Sequence, residues 1–481
     1  LIENECGLEG VSRYFLKIFS AFSIEIHSIT EYYRSCVFLM FVFIGGFTMF
    51  KLKEHGTNPK TEILAGITTF LTMVYIVIVN PIILSDAGVP FDQVFLATII
   101  SAVAGTLWMA LFANYPIAIA PGMGLNAYFT YSVVGAHDDI SYIVAFSAVF
   151  VAGIVFILLS LTPLRKKLIE AIPQNLKHGI TAGIGLFIAF IGLRLTGLIQ
   201  AHPTNLVQLG DLHSHSALLA LTGLAVTLIL MVLNVHGALF IGMIVTGVIA
   251  YFTGDLSFKE GFVAIPHLPE GLMVANPVTA FADVFHYGLY AVVFSFLLVT
   301  IFDTTGTMVG VAQQAGLMKG NTLPRARQAL LADSVATTIG AMFGTSPTSA
   351  YIESSAGVSA GGRTGLTTLT VSILFIASAF FGPLVSAVSG ISAITAPALI
   401  IVGSLMMGSI AQIKWDELDE AFPAFLIILS MPLTSSIATG IALGFISYPL
   451  LKVVKGQWKQ VHPLVYIFAV LFFYQLAFLP H

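Results

Sequence analysis

YPIAIAPGMGLNAYF, residues 115–129, and GTSPTSAYIESSAG, residues 344–357, are the two stretches on which the reading of this 481-residue chain turns. Each breaks an apolar segment with proline and glycine, and each offers an extended piece followed by a short helix. Around them the chain is 57% hydrophobic and 9% charged, with a mean hydropathy of +0.94. A soluble domain carries about 25% charged residues, and no soluble fold of this length could bury so much apolar surface. The composition therefore places the breaks inside a membrane protein. Irregular backbone survives at membrane depth only where it is buried in protein or lines a cavity.

Working outward from the first break, apolar segments fall at about 63–83, 93–113, 141–163, 179–199, 217–234 and 237–253. With the break at 115–134 they make seven elements. A polar interval from Gly254 to Asp283 follows, then 285–310, 326–344, the second break at 345–360, 366–388, 392–412, 422–436 and 438–452. These make seven more. Most are near the roughly 20 residues that a spanning helix needs. Lysine and arginine sort onto one side: Lys51, Lys53, Lys60, Arg165, Lys166, Lys167, Lys177, Lys319, Arg325, Arg327, Arg363, Lys414, Lys452, Lys455 and Lys459 share the loops that this count places in the cytoplasm. Lys259 is the clearest exception. An odd number of elements in the first half turns the second half upside down. The fold class expected is thus an all-α polytopic membrane protein of about 14 elements in a 7+7 inverted repeat, with repeats at about 63–253 and 285–452 in one membrane domain at 49–481. The apolar run at 461–479 is left over, as an interfacial helix or an extra span. Residues 1–48 have a different, more charged texture and are expected to be a dispensable or non-native extension, with Met49 as a natural start.

The two breaks hold the third place in each half, where half-helices of transporters meet at a binding site. A pair of kinked packing helices is the competing reading. Two acids accompany the breaks. Asp303 follows the apolar run Ala291–Val299, where a carboxylate costs about 2.5 to 3.5 kcal/mol on insertion scales; Glu353 lies in the second break. Paired acids in a low-dielectric cavity are suited to take up and release protons, whereas a carboxyl that only caps threonine or backbone donors is the bland alternative. Asn126 offers an amide donor and acceptor to a planar heterocycle, or else caps a helix. Tyr128, Phe129 and Tyr351 beside the breaks are candidates to stack on a base, or are packing. Asp333, near the end of its helix, reads as a structural partner of Arg325 or Arg327. His202, His213 and His215, with Asp211, read as a solvated loop, since their spacing is not that of a zinc site. No metal or cofactor is expected. Gly179–Gly183 and Gly440–Gly444 have the four-residue spacing that lets helices approach closely. Only two cysteines occur, Cys6 and Cys36, both before residue 50, so the apolar body has no material for a disulfide.

FKLKEHGT at 50–57, GITTFLTMVYIV at 66–77, APGMGLNA at 120–127, FDTTGT at 302–307 and AYIESSAGVSAGGRTGLT at 350–367 together resemble the AzgA-like adenine/guanine/hypoxanthine permeases. The resemblance runs from about residue 50 to the C-terminus. It implies the uracil-permease fold of the nucleobase/ascorbate transporters, with a core and a gate domain, and purine:proton symport. It implies that Asp303 and Glu353 bind substrate and couple protons, that Asn126 is the polar position of the third element, and that Thr68 and Thr69 are a hydroxyl pair near the site; Tyr351 joins this set as a neighbour of Glu353. Where some relatives carry another acid, this chain has Thr300. The expected partners are a purine nucleobase, a proton, membrane lipid and, as one arrangement, a second copy in a homodimer. A net charge of -4 does not point to nucleic acid. The expected location is the cell membrane, with the start of the permease domain cytoplasmic.

Rival functions are an uncoupled channel or facilitator and a carrier for uracil, xanthine or a small anion. Asp303 and Glu353 would repel an anion. A membrane-embedded enzyme lacks its signatures here: there is no His-Glu-x-x-His and no Gly-x-Gly-Asp.

Overall fold

The computed structural model describes residues 50–135, 140–162, 171–258, 261–266, 273–318 and 323–478. The chain divides into two compact units after Leu52, and the second, Lys53–His481, carries the apolar body. The expected extension at 1–48, with both cysteines, lies outside the described residues, as do Arg165, Lys166, Lys167, Lys259 and Lys319.

Local chemistry sets where the helices start. Asn58 accepts a hydrogen bond from the Thr61 amide, and Pro59 sits in the first turn of α1 (Pro59–Met73), where its missing N–H is not needed. A turn at Val74–Tyr75 separates α1 from α2 (Ile76–Ser85). Next, α3 (Phe91–Trp108) runs into a π-helical turn, Met109–Ala113, that ends on Asn114 in the left-handed region. The first break is β1 (Ile119–Pro121) and α4 (Met123–Ala127), continued as a π-helical stretch to Val134. There follow α5 (Tyr142–Leu161), α6 (Gln174–Leu195), a hairpin of β2 (Ile199–His202) and β3 (Leu206–Leu209), α7 (His215–Val232) and α8 (Ala238–Thr253). Ser141 and Ser214 cap α5 and α7.

The second half opens with the short α9 (Ala280–His286), then α10 (Tyr290–Gln314) and α11 (Ala326–Phe343). The second break is β4 (Thr348–Ala350) and α12 (Ser354–Ser359). Beyond it are α13 (Gly365–Ser378), α14 (Gly382–Ser389), α15 (Ser392–Met406), α16 (Leu418–Thr434), α17 (Ile437–Val454) and α18 (Pro463–Phe478). Among the described residues, nine helices are long and apolar enough to cross a membrane. The chain is a helical, multi-pass membrane protein. The left-over C-terminal run is the helix α18, whose Phe468 and Phe472 pack between Phe294 of α10 and Phe445 of α17.

The breaks depart from an all-α fold. Their unwound pieces pair as antiparallel strands, with Ile119 opposite Ala350, Ala120 opposite Ser349 and Pro121 opposite Thr348. All six residues are buried. Unwound backbone in a place without water must find partners in protein, and each break supplies them to the other.

Glycines set the closest approaches elsewhere. A Cβ on Gly183 would come within 2.7 Å of the Met431 sulfur, and one on Gly440 within 2.4 Å of Met431 Cγ. Thus α6 and α17 clasp α16 through the glycine pairs visible in the sequence.

Candidate functional site

The strand pair fixes the frame of the site. Beyond its register, the Gly122 amide donates to Pro347 O at 3.0 Å, and the Tyr351 amide to Ala118 O at 3.0 Å. Ser354 Oγ accepts from the Ala118 amide at 3.0 Å. The Tyr351 hydroxyl donates to Pro121 O at 2.5 Å, so the second break also ties down a carbonyl of the first. Gly122 makes the approach close: a Cβ there would stand 3.0 Å from Ser349 Oγ.

Both intramembrane acids reach this frame. Asp303, on α10, is half-buried, and the Ser349 side chain of β4 faces its carboxylate. Glu353 precedes the first turn of α12, yet its side chain makes no capping bond to that helix. Instead its Oε1 accepts from the Tyr75 hydroxyl at 2.7 Å, and its carbonyl lies 3.4 Å from Thr72 Oγ1. Glu353 is half-buried and close enough to Asp303 for their charges to interact; Tyr351 lies within electrostatic reach of both. Among the described residues neither acid has a lysine or arginine at ion-pair distance. From Asp303, one face of α10 continues through Gly306 and Gly310, both exposed and with no atom near the position of an added Cβ.

Asn126 is fully buried; its Oδ1 accepts from the Ser346 hydroxyl, and its amide nitrogen has no partner among the described residues. Acceptors on Glu353 and Asp303 thus stand with a spare amide donor on Asn126 around the paired breaks. That mixture suits a small heterocycle with N–H groups and ring acceptors on its edge.

The other expected residues are placed differently. Thr68 donates to Leu64 O within its own helix at 2.9 Å. Thr69 is fully buried where α1 meets α12: a Cβ on Gly357 would come within 2.0 Å of its hydroxyl oxygen, which has no partner among the described residues. Tyr128 packs edge-on against Phe296 and Phe129 stacks on Phe146, at ring separations of 5.0 and 4.5 Å, so both rings serve packing. Asp333 accepts from Thr304 Oγ1 at 2.5 Å and from Thr348 Oγ1 at 2.8 Å, where the sequence suggested an arginine partner. The Arg325 guanidinium lies over the Tyr115 ring. Asp333 thereby joins the helix of Asp303 to β4. Of the histidines, His202 accepts from the Thr204 and Asn205 amides of its hairpin, and His215 Nε2 lies 2.6 Å from Asp255.

Two residues of consequence are not marked by the sequence. Tyr75 sits in an apolar run, and nothing local singles it out as the partner of a glutamate 278 residues away. Glu62 is fully buried, and its carboxylate accepts from the Arg363 and Thr364 amides at 2.9 and 3.2 Å and from Thr367 Oγ1 at 2.6 Å. It caps α13, whose positive N-terminal end favours an anion. Its local mark is only that of an acid in the first turn of α1, just ahead of the first apolar segment.

Residues 60–443 match the pattern of the permease family. The chain is 71% identical over 432 residues to the guanine/hypoxanthine permease PbuO of Bacillus subtilis, covering 90% of this chain and 100% of that one. It is 46% identical over 433 residues to the adenine permease AdeP of Escherichia coli, with 90% and 96% covered. Among solved structures, the transmembrane domain of the cyanobacterium bicarbonate transporter BicA superposes with a TM-score of 0.60 at 18% identity, over 79% of this chain and 96% of that one. At that identity the likeness concerns the fold alone.

Proposed function

The chain belongs to the permease family, and on that premise we propose that it is a secondary active transporter that takes up purine nucleobases together with protons. Family membership makes it a transporter and not an enzyme. Guanine and hypoxanthine come ahead of adenine in this proposal, because the relative with 71% identity is a guanine/hypoxanthine permease. The observation that carries the reading is the placing of Glu353: on a helix break, half-buried, with no capping bond into its own helix and set near Asp303. Glu353 accepts from ring N–H groups of the base, Asn126 supplies its spare amide to the opposite edge, and Asp303 carries the coupled proton. Tyr351 holds the frame, and Thr68 and Thr69 support the helix that faces Glu353.

The proposed architecture is two inverted repeats of seven elements, forming a core and a gate domain. The antiparallel pairing of residues 119–121 with 348–350 supports it, since elements related by a two-fold axis in the membrane plane run in opposite directions. The loop charges support a cytoplasmic start for the permease domain and a place in the cell membrane.

Uptake of labelled hypoxanthine into proteoliposomes, with unlabelled guanine, adenine, uracil and xanthine as competitors, tests the proposal. Competition by guanine and weaker competition by adenine are expected. Saturable uptake that uracil blocks and guanine does not would overturn it.

A further inference from the structure

Tyr75 stands where α1 gives way to α2, fully buried, with its hydroxyl on Glu353 Oε1 at 2.7 Å. A buried phenol must find a hydrogen-bond partner, and one that meets a carboxylate makes a stronger bond than one that meets a neutral acceptor. The ring is confined by full burial, and the backbone around it is held on both sides. Val74 N donates to Phe70 O at 2.8 Å, while the amides of Ile78 and Val79 donate to Tyr75 O at 3.0 and 2.9 Å. The last turn of α1 lies close by: Thr72, whose hydroxyl donates to Thr69 O at 2.7 Å, has its Oγ1 3.4 Å from the Glu353 carbonyl oxygen.

We infer that Tyr75 is the positioning residue of the site: it occupies one oxygen of Glu353, fixes the plane of the carboxylate and leaves the second oxygen to read the ring N–H of the base. This inference rests on the base-binding role proposed above for Glu353. A carboxylate free to rotate would lose part of its binding to orientation, whereas one clamped by a rigid donor meets the ligand already aligned. The cost of losing the clamp falls on binding more than on the rate of the transport cycle.

The experiment measures hypoxanthine affinity, transport KM and maximal rate, and thermal midpoint for Tyr75→Phe, Glu353→Gln and the double variant in purified, reconstituted full-length protein. Tyr75→Phe removes one oxygen atom and should raise KM on the order of ten-fold, with the maximal rate and thermal midpoint close to wild type. In the Glu353→Gln background the same change should alter affinity by less than about two-fold, since a neutral amide gains less from the phenol. Replacing Tyr75 by 3-fluorotyrosine, which keeps ring and hydroxyl, should restore wild-type KM. A ten-fold loss of equal size in both backgrounds, or a fall in thermal midpoint without a change in KM, would make Tyr75 a structural residue only. Wild-type KM in Tyr75→Phe beside a weakened Glu353→Gln would overturn this inference and leave the base-binding role of Glu353 standing. Wild-type affinity in Glu353→Gln would overturn both.

Discussion

Asp419 and Glu420, at the start of α16, and Asp303 and Glu353, beside the paired breaks, are acids of the same apolar body with opposite surroundings. Lys452 Nζ lies 2.6 Å from both Asp419 and Glu420, and Lys455 Nζ 2.5 Å from Asp419. Tyr448 and Asn175 complete the shell of Glu420 at 3.1 and 2.6 Å. That cluster ties α6, α16 and α17 together, and its charges are cancelled where they stand. Glu417, Asp419 and Glu420 come close enough together to suggest a cation site, but lysines already supply the positive charge. At the breaks the partners are hydroxyls: Tyr75 on Glu353 and Ser349 facing Asp303. A lysine-paired acid is committed to the fold, because separating the pair leaves a bare charge in low dielectric. An acid held by a hydroxyl keeps the freedom to exchange partners or to take a proton, which is what a coupled binding site requires.

The largest effect should come from breaking the committed cluster. Lys452 is 3% exposed, so Lys452→Met would leave Glu420 without a cation and Asp419 with Lys455 alone, and destabilise the protein by about 3 to 5 kcal/mol. Thermal unfolding in detergent should show a much lower midpoint, while the molecules that remain folded keep their affinity for hypoxanthine. A variant of wild-type stability with lost binding would reverse the roles assigned to the two groups. Glu353→Gln should do the opposite. It exchanges an acceptor for a donor in part of the carboxylate, costing about 1 to 3 kcal/mol of binding, or roughly a 5- to 150-fold loss of affinity, with little change in thermal midpoint. Undiminished binding measured by scintillation proximity would remove Glu353 from the site.

The contrast also separates what the sequence made legible from what it hid. Proline and glycine at 115–129 and 344–357 marked both breaks, because such residues interrupt a helix through their own backbone chemistry. Asp303 and Glu353 stood out because a charge in an apolar segment is costly wherever the segment packs. What stayed hidden were pairings between distant positions. The register of residues 119–121 against 348–350, the grip of Tyr75 on Glu353 and the capping of α13 by Glu62 join positions more than 200 residues apart. No local periodicity encodes them. Asp333 shows the same limit: its partners Thr304 and Thr348 lie 29 and 15 residues away in sequence.

The central claim, that uncommitted acids couple purine uptake to protons, is tested most directly by Asp303→Asn, which mimics a permanently protonated acid. Proteoliposomes carrying wild type or variant would be given an inward proton gradient, with and without a protonophore, while labelled hypoxanthine is followed. Wild type should accumulate the base until the protonophore collapses the gradient. Asp303→Asn should lose gradient-driven accumulation but retain exchange of internal for external base, now insensitive to pH. Accumulation by Asp303→Asn that still collapses with the protonophore would contradict the account and move the coupling proton to another group.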